Sequence, residues 1–241
     1  MTMRGGRYPM GEYSMATLIE QLEALADEKY RAFNEKLTPG TAGNLLGVRM
    51  PALRRIARQI LHSDPAGFLD ASLYSALHEL RMLHVIVLAR EATDAVDRLS
   101  RIRACVPTLE NWAVCDTLCN DLKPDEELKA LLLPDLRIWA QSAREFEARF
   151  AYVMLMLYYR DAAHIDETLR LYAAFHHEGY YARMGAAWGL SFLYIDWPGR
   201  TLDILKGGSL DRFTHNKAIQ KIIESYRVSD ADKALLRTLR R

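Results

Sequence analysis

Four stretches of this chain resemble one another at a nearly constant interval, and that interval restricts the fold more than any other feature. They are NWAVCDTLCNDL (111–122), EARFAYVMLMLYY (147–159), YARMGAAWGLSFLY (181–194) and HNKAIQKIIESY (215–226). Asp116, Tyr152 and Trp188 are spaced 36 residues apart, and Arg149, Arg183 and Lys217 are spaced 34 apart. Between them lie shorter helical stretches, DEELKALLLPDLRIWA, IDETLRLYAAF and PGRTLDILK. A helix pair every ~35–45 residues is the pattern of an α-solenoid, in which each unit buries its apolar face against the next. One helix of each pair lines a concave groove, so equivalent positions project into it. The expected fold is all-α. An ordinary bundle of similar helices would match the lengths without matching the polar positions.

The N-terminal third fits the same class. Alternating Val/Ile/Thr runs with tight-turn dipeptides, the marks of strands, are almost absent. Leu18, Leu22, Leu25 and Ala26 recur at helical spacing between Met15 and Lys36, and TPGTAG (38–43) stops that pattern. Pro51 opens PALRRIARQILH from a first-turn position, where its missing N–H costs nothing. Asp64-Pro65 marks a boundary, Leu77 to Arg90 reads as a long apolar helix, and Asp94 to Ala104 as a helix that Pro107 ends. Residues 1–14 lack the apolar core of a secretory signal and read as a disordered tail. Residues 15–241 read as a single repeat domain.

Charge and cysteine content narrow the function. Lys and Arg total 32 against 31 Asp and Glu, a balance that argues against a protein coated in nucleic acid, since such domains are usually clearly basic. A local basic groove is not excluded. Three cysteines, Cys105, Cys115 and Cys119, cannot make a disulfide framework, and the odd number fits a reducing compartment, the cytoplasm by default. No apolar run reaches the roughly 20 residues that span a bilayer, so no membrane is expected. Cys115 and Cys119 lie one turn apart, but no further Cys or His completes a zinc-type spacing. No metal and no cofactor is expected. Nor does the chain contain a phosphate-binding glycine loop, a GxSxG elbow or an HExxH helix.

Several stretches together resemble the HEAT-like DNA alkylation repair (AlkD-like) family of DNA glycosylases. NLLGVRMPALRRIARQI (44–60) is similar to its (L/I)G(V/I)xxPxxR helix entry, and NWAVCD (111–116) to its Asn-Trp-Asp-x-x-Asp pattern. EFEARFAYVML (145–155) and YYARMGAAWGLS (180–191) resemble its Arg-entry and Trp-bearing helices. The likeness runs from about Tyr30 to the C-terminus. It implies a curved solenoid of HEAT-like repeats that acts on double-stranded DNA with alkylated purines. It puts the catalytic carboxylate on Asp116, groove tryptophans on Trp112 and Trp188, and a phosphate-contacting arginine on Arg149. The position after the first tryptophan, often acidic in the family, is Ala113 here.

Those residues suit the chemistry implied. Trp112 and Asp116 are four apart on one helical face. An N3- or N7-alkylated purine is cationic and already a good leaving group, and its departure leaves an oxocarbenium-like sugar. A fixed carboxylate stabilises that cation, and indole faces attract the charged base. Arg149, Arg183, Lys217 and Lys221 are expected to contact phosphates, with Arg54 in a second cluster beside Arg49, Arg55 and Arg58. A monomer suffices for this mode. Each residue also has a plainer reading. The tryptophans can be core, Asp116 can be a structural partner of Arg149, and the arginine cluster of 49–58 can be a solvated helix face. The alternative functions are a non-catalytic DNA-binding protein and a protein-interaction scaffold.

Overall fold

The computed structural model describes residues 14–241 except Pro39 and Ala42, and among them every regular element is helical. The expected tail lies outside the described residues, apart from Ser14, whose hydroxyl caps the first helix by accepting from the Thr17 N–H. The chain divides into two compact units, one through Glu91 and one from Ala92.

The first unit holds α1 (Met15–Ala24), α2 (Glu28–Leu37), α3 (Met50–Leu61), α4 (Pro65–Ser72) and α5 (His78–Arg90). The single helical stretch expected over 15–36 is two helices. The Asp27 carboxylate accepts from the Tyr30 N–H at 2.9 Å and starts a new helix there. Both α3 and α4 carry their prolines at the entry, as expected. The apolar helix α5 packs on α3 and α4 and buries ten consecutive-to-near-consecutive residues, from Glu79 to Ala89.

Glu79 explains the Leu46-Gly47-Val48 motif. Its carboxylate is 1% exposed and accepts from the backbone N–H groups of all three residues, at 2.8–3.2 Å. A buried carboxylate needs such donors, because an unpaired one is too costly to bury. Gly47 has φ +88°, and a Cβ there would meet the Asp27 carbonyl oxygen at 2.5 Å. No other residue fits that loop.

The second unit is built of α6 (Ala95–Cys105), a short 3-10 turn (Val106–Thr108), α7 (Trp112–Leu122), α8 (Glu126–Trp139), α9 (Glu145–Tyr158), α10 (Ile165–Ala173), α11 (Tyr180–Asp196), α12 (Pro198–Gly207), α13 (Arg212–Glu224) and α14 (Asp230–Thr238). The four repeated stretches form α7, α9, α11 and α13, each packed on the next. Helices α6, α8, α10 and α12 alternate with them as the second member of each pair, with α6 against α8 and α10 against α12. This is the helical-repeat architecture that the spacing predicts.

Helix α9 is buried from Ala148 through Met156, as a helix enclosed on all sides must be. Its neighbour α11 is rich in small residues, among them Ala182, Gly185, Ala186 and Ala187, which suit its close packing on α9 and α13. Aromatic side chains fill the remaining volume. Tyr152 meets Tyr172 and Phe175 edge-on, both at 4.9 Å between centroids, and Trp139 meets Phe150 at 5.5 Å. Pro134 lies inside α8 at an exposed position and removes one backbone hydrogen bond there.

Candidate functional site

Helix α7 begins where it does because of Asn111. Its side-chain oxygen accepts from the Val114 N–H at 3.0 Å, so the asparagine of NWAVCD is an N-cap. Trp112 then opens the helix, and Asp116 follows one turn later. Val114, Cys115, Leu118, Cys119 and Leu122 bury the opposite side against the core. Trp112, Ala113 and Asp116 are half-buried.

The Asp116 carboxylate is clasped by Arg149 of α9. Arg149 Nε donates to Oδ1 at 2.8 Å and Nη2 to Oδ2 at 2.7 Å, a two-pronged pair. The third edge of the guanidinium, Nη1, donates to the Tyr181 carbonyl oxygen of α11 at 2.7 Å. One arginine therefore ties three successive repeat helices together. Its side chain is 8% exposed, and that of Asp116 is 16% exposed. Burial works to lower the basicity of Arg149, but the adjacent carboxylate overcomes it and holds the guanidinium above its usual value. Removing either partner would strand a buried charge at a cost of about 3–5 kcal/mol.

The sequence reading does not anticipate what supports this pair. Gly185 leaves space for the Arg149 stem, since a Cβ there would lie 3.3 Å from Arg149 Cγ. Tyr181 is set by two contacts from α9: its N–H donates to the Glu145 carboxylate, and its ring stacks on Phe146 at 5.6 Å. The only sequence signal among these is Gly185, a glycine inside a helical pattern, which marks a close approach.

The other expected residues are placed as follows. Trp188 lies one turn beyond Gly185 on α11, half-buried, with its ring edge-on to Phe192 at 6.0 Å. Phe192 in turn carries the Arg160 guanidinium at 5.3 Å. Arg183 sits over the Phe213 ring at 4.7 Å and 3.9 Å from an Asp211 carboxylate oxygen. Lys217 Nζ donates to the Gln220 amide oxygen at 3.1 Å, and Lys221 is half-buried on the same helix. Arg183 and Lys217 line one cleft; Asp116 and Arg149 form a separate pair. Arg54 belongs to α3 of the first unit and is half-buried there.

Cys115 and Cys119 are fully buried, and burial pushes the Cys119 thiol well up, so it packs as a small apolar side chain. Among the described residues no group of three or more His, Cys, Asp or Glu is placed to hold a metal ion, and no helix is long and apolar enough to cross a membrane.

Chemically, this is a carboxylate held in place by a fixed cation, reachable from solvent, with a tryptophan one turn before it. Such a group can stabilise positive charge that develops nearby, and its orientation needs no rearrangement to do so. No curated protein matches the chain. The model of the DNA alkylation repair enzyme family matches residues 18–196, more than half of the chain, and the chain belongs to that family.

Proposed function

We propose that this member of the DNA alkylation repair family is a DNA glycosylase that releases cationic N3- or N7-alkylated purines from duplex DNA. The observation that carries the reading is Asp116: a solvent-reachable carboxylate, oriented by two hydrogen bonds from Arg149 and preceded by Trp112.

The bond between the sugar C1′ and the purine nitrogen breaks, and its electron pair leaves with the base, cancelling the ring's positive charge. The sugar is left as an oxocarbenium ion, which Asp116 stabilises across space. Water adds at C1′ and loses its proton to Asp116 or to solvent, leaving an abasic site and a free base. No strong general acid is needed, because the leaving group departs neutral. The faces of Trp112 and Trp188 favour the cationic base, each by about 0.5–2 kcal/mol.

In this reading Arg149 has the position of a residue that orients Asp116, and it reaches a phosphate only by giving up that carboxylate. Arg183, Lys217, Lys221 and Arg54 are the remaining candidates for contacts to the DNA backbone. Such contacts position the duplex and make binding salt-sensitive without reading sequence.

A second reading has one observation in its favour. Both Asp116 oxygens are occupied by Arg149, as they would be in a purely structural pair. On that reading the chain binds DNA, or a protein, without excision. The two separate in one assay. Duplex DNA containing N7-methylguanine is incubated with the protein and free base is measured. The glycosylase reading expects release by the wild type and a loss of about 100-fold or more in Asp116→Asn, with the variant's helical content checked by circular dichroism. Equal release by the folded variant, or none by the wild type, would remove Asp116 from catalysis.

A further inference from the structure

Helix α11 begins without a cap of its own. Its N-cap position is Gly179, which has no side chain to accept the first N–H groups of the helix. Helices α7 and α13 are capped from their own N-cap positions, by Asn111 and Asp211. The cap of α11 comes from another helix instead. The carboxylate of Glu145, the first residue of α9, accepts from the Tyr181 N–H. Tyr181 is the second residue of α11, and its N–H is one that an N-cap side chain ordinarily serves. A carboxylate there also faces the positive end of the α11 dipole.

Gly179 admits that carboxylate. A Cβ at the glycine would lie 2.6 Å from Glu145 Oε1 and 2.7 Å from Cδ, so any side chain would push Glu145 away. The glycine has φ −65°, a conformation open to all residues. The position therefore needs the empty space rather than the backbone freedom. His177 fixes the approach of the loop: its Nδ1 accepts from the Gly179 N–H at 2.7 Å, and its Nε2 lies 3.2 Å from the Ala143 carbonyl oxygen just before α9.

A helix capped from α9 takes its position from α9. Glu145 and Arg149 are four apart on that helix and share a face. Between them they hold both polar groups of one peptide residue: Glu145 takes the Tyr181 N–H, and Arg149 Nη1 donates to the Tyr181 carbonyl oxygen. The remaining prongs of Arg149 hold Asp116. Loss of the Glu145 link frees the first turn of α11 and removes the fixed point of Nη1. Asp116 is then clasped by a guanidinium with two anchors in place of three. Electrostatic stabilisation of a developing cation depends on charge that is fixed before the reaction begins.

We infer that Glu145 is a positioning residue of the Asp116–Arg149 site: by capping α11 from α9 it fixes the Tyr181 carbonyl, and through it the orientation of Arg149 and Asp116. Its effect on base release rests on the glycosylase reading. Its effect on the Arg149 side chain does not.

The test compares wild type with Glu145→Ala, Glu145→Gln and Gly179→Ala, each checked by thermal melting. Glutamine keeps an oxygen that accepts the same N–H, whereas Gly179→Ala displaces the carboxylate without removing it. Two quantities are measured. One is the single-turnover rate of base release from N7-methylguanine duplex, with duplex affinity determined alongside. The other is the Arg149 Nε–H resonance in the nitrogen–proton spectrum, assigned by its absence in Arg149→Lys. Glu145→Ala and Gly179→Ala should slow release by about 10–100-fold at unchanged duplex affinity, and broaden or lose the resonance through faster exchange with water. Glu145→Gln should restore both. A merely structural role would lower the melting temperature and leave the rate per folded molecule alone.

An intact Arg149 resonance in folded Glu145→Ala and Gly179→Ala overturns the inference, whatever the rate. So does a wild-type rate in folded Glu145→Ala, or a fall in rate matched by an equal loss of duplex affinity. Wild type that releases no base sinks the glycosylase reading on its own. In that event a resonance lost in Glu145→Ala and kept in Glu145→Gln still supports Glu145 as the residue that orients the pair.

Discussion

Gly189 occupies a position where a methyl group has nowhere to go. An added Cβ would run into the Tyr172 hydroxyl, which is itself fixed by a 2.6 Å hydrogen bond to the Tyr152 carbonyl oxygen. Tyr172 is fully buried, so it cannot swing into solvent to make room. Two effects oppose each other in Gly189→Ala. Alanine favours a helix by about 1 kcal/mol over glycine, whereas overfilling a packed core costs about 1–3 kcal/mol. Because the colliding group is a hydrogen-bonded tyrosine, overfilling is expected to win. Urea denaturation should show a net loss of stability, and a midpoint at or above that of wild type would refute the packing argument. The residue scale is also where legibility in the sequence was most uneven. Asp116 stood out as an acid among apolar neighbours, and Arg149 as its possible partner, because a charge in that setting demands an explanation. The third contact of Arg149 falls on the backbone oxygen of Tyr181, and a carbonyl group is the same at every position of a sequence. Nor could spacing reveal Gly189, since its necessity comes from a hydroxyl on another helix.

Between elements, the second unit uses charge as well as apolar packing. Arg103 of α6 pairs with Asp135 of α8, Arg137 of α8 with Glu167 of α10, and Arg200 of α12 with Asp166 of α10. Each step from one of these helices to the next is thus bridged by an arginine and a carboxylate. Most of these side chains are partly exposed, so each bridge contributes modestly. Glu167 is the most engaged, because Arg170 also holds it at 2.8 Å. Arg170 foremost, with Arg137, lowers the Glu167 carboxyl from 4.5 to about 2, against the opposing effect of burial. A carboxyl whose folded value is depressed adds stability above its unfolded value and loses it as pH falls toward the folded one. Glu167→Gln should therefore be less stable than wild type at neutral pH, and the gap should close between pH 4.5 and about 2. Thermal melts of both proteins across that interval test this, and a gap independent of pH would assign the loss to packing. The four repeated helices were readable from their spacing because burial imposes a period on apolar positions. The break between α1 and α2 was not, since a single capping aspartate, Asp27, makes it within a polar stretch.

Across the whole molecule, burial is very unevenly shared. Helix α9 is enclosed over nine consecutive residues, while α2 has no buried residue and exposes Phe33 and Leu37. Local opening follows the density of buried contacts. Amide hydrogen exchange should be slowest in α9 and the adjoining part of α11, and fastest among the helices in α2. Equal protection of α2 and α9 would contradict that ordering. The order in which these parts come into existence matters as well. The loop of Leu46, Gly47 and Val48 is held by Glu79, which lies 31–33 residues further along the chain. A ribosome adding about 5–20 residues per second makes that loop seconds before it makes its acceptor. Throughout that wait three amide groups have only water to bond to, and the entry to α3 has no fixed direction. The first unit therefore cannot finish in the order in which it is translated: its early helices must stay provisional until one glutamate has left the ribosome.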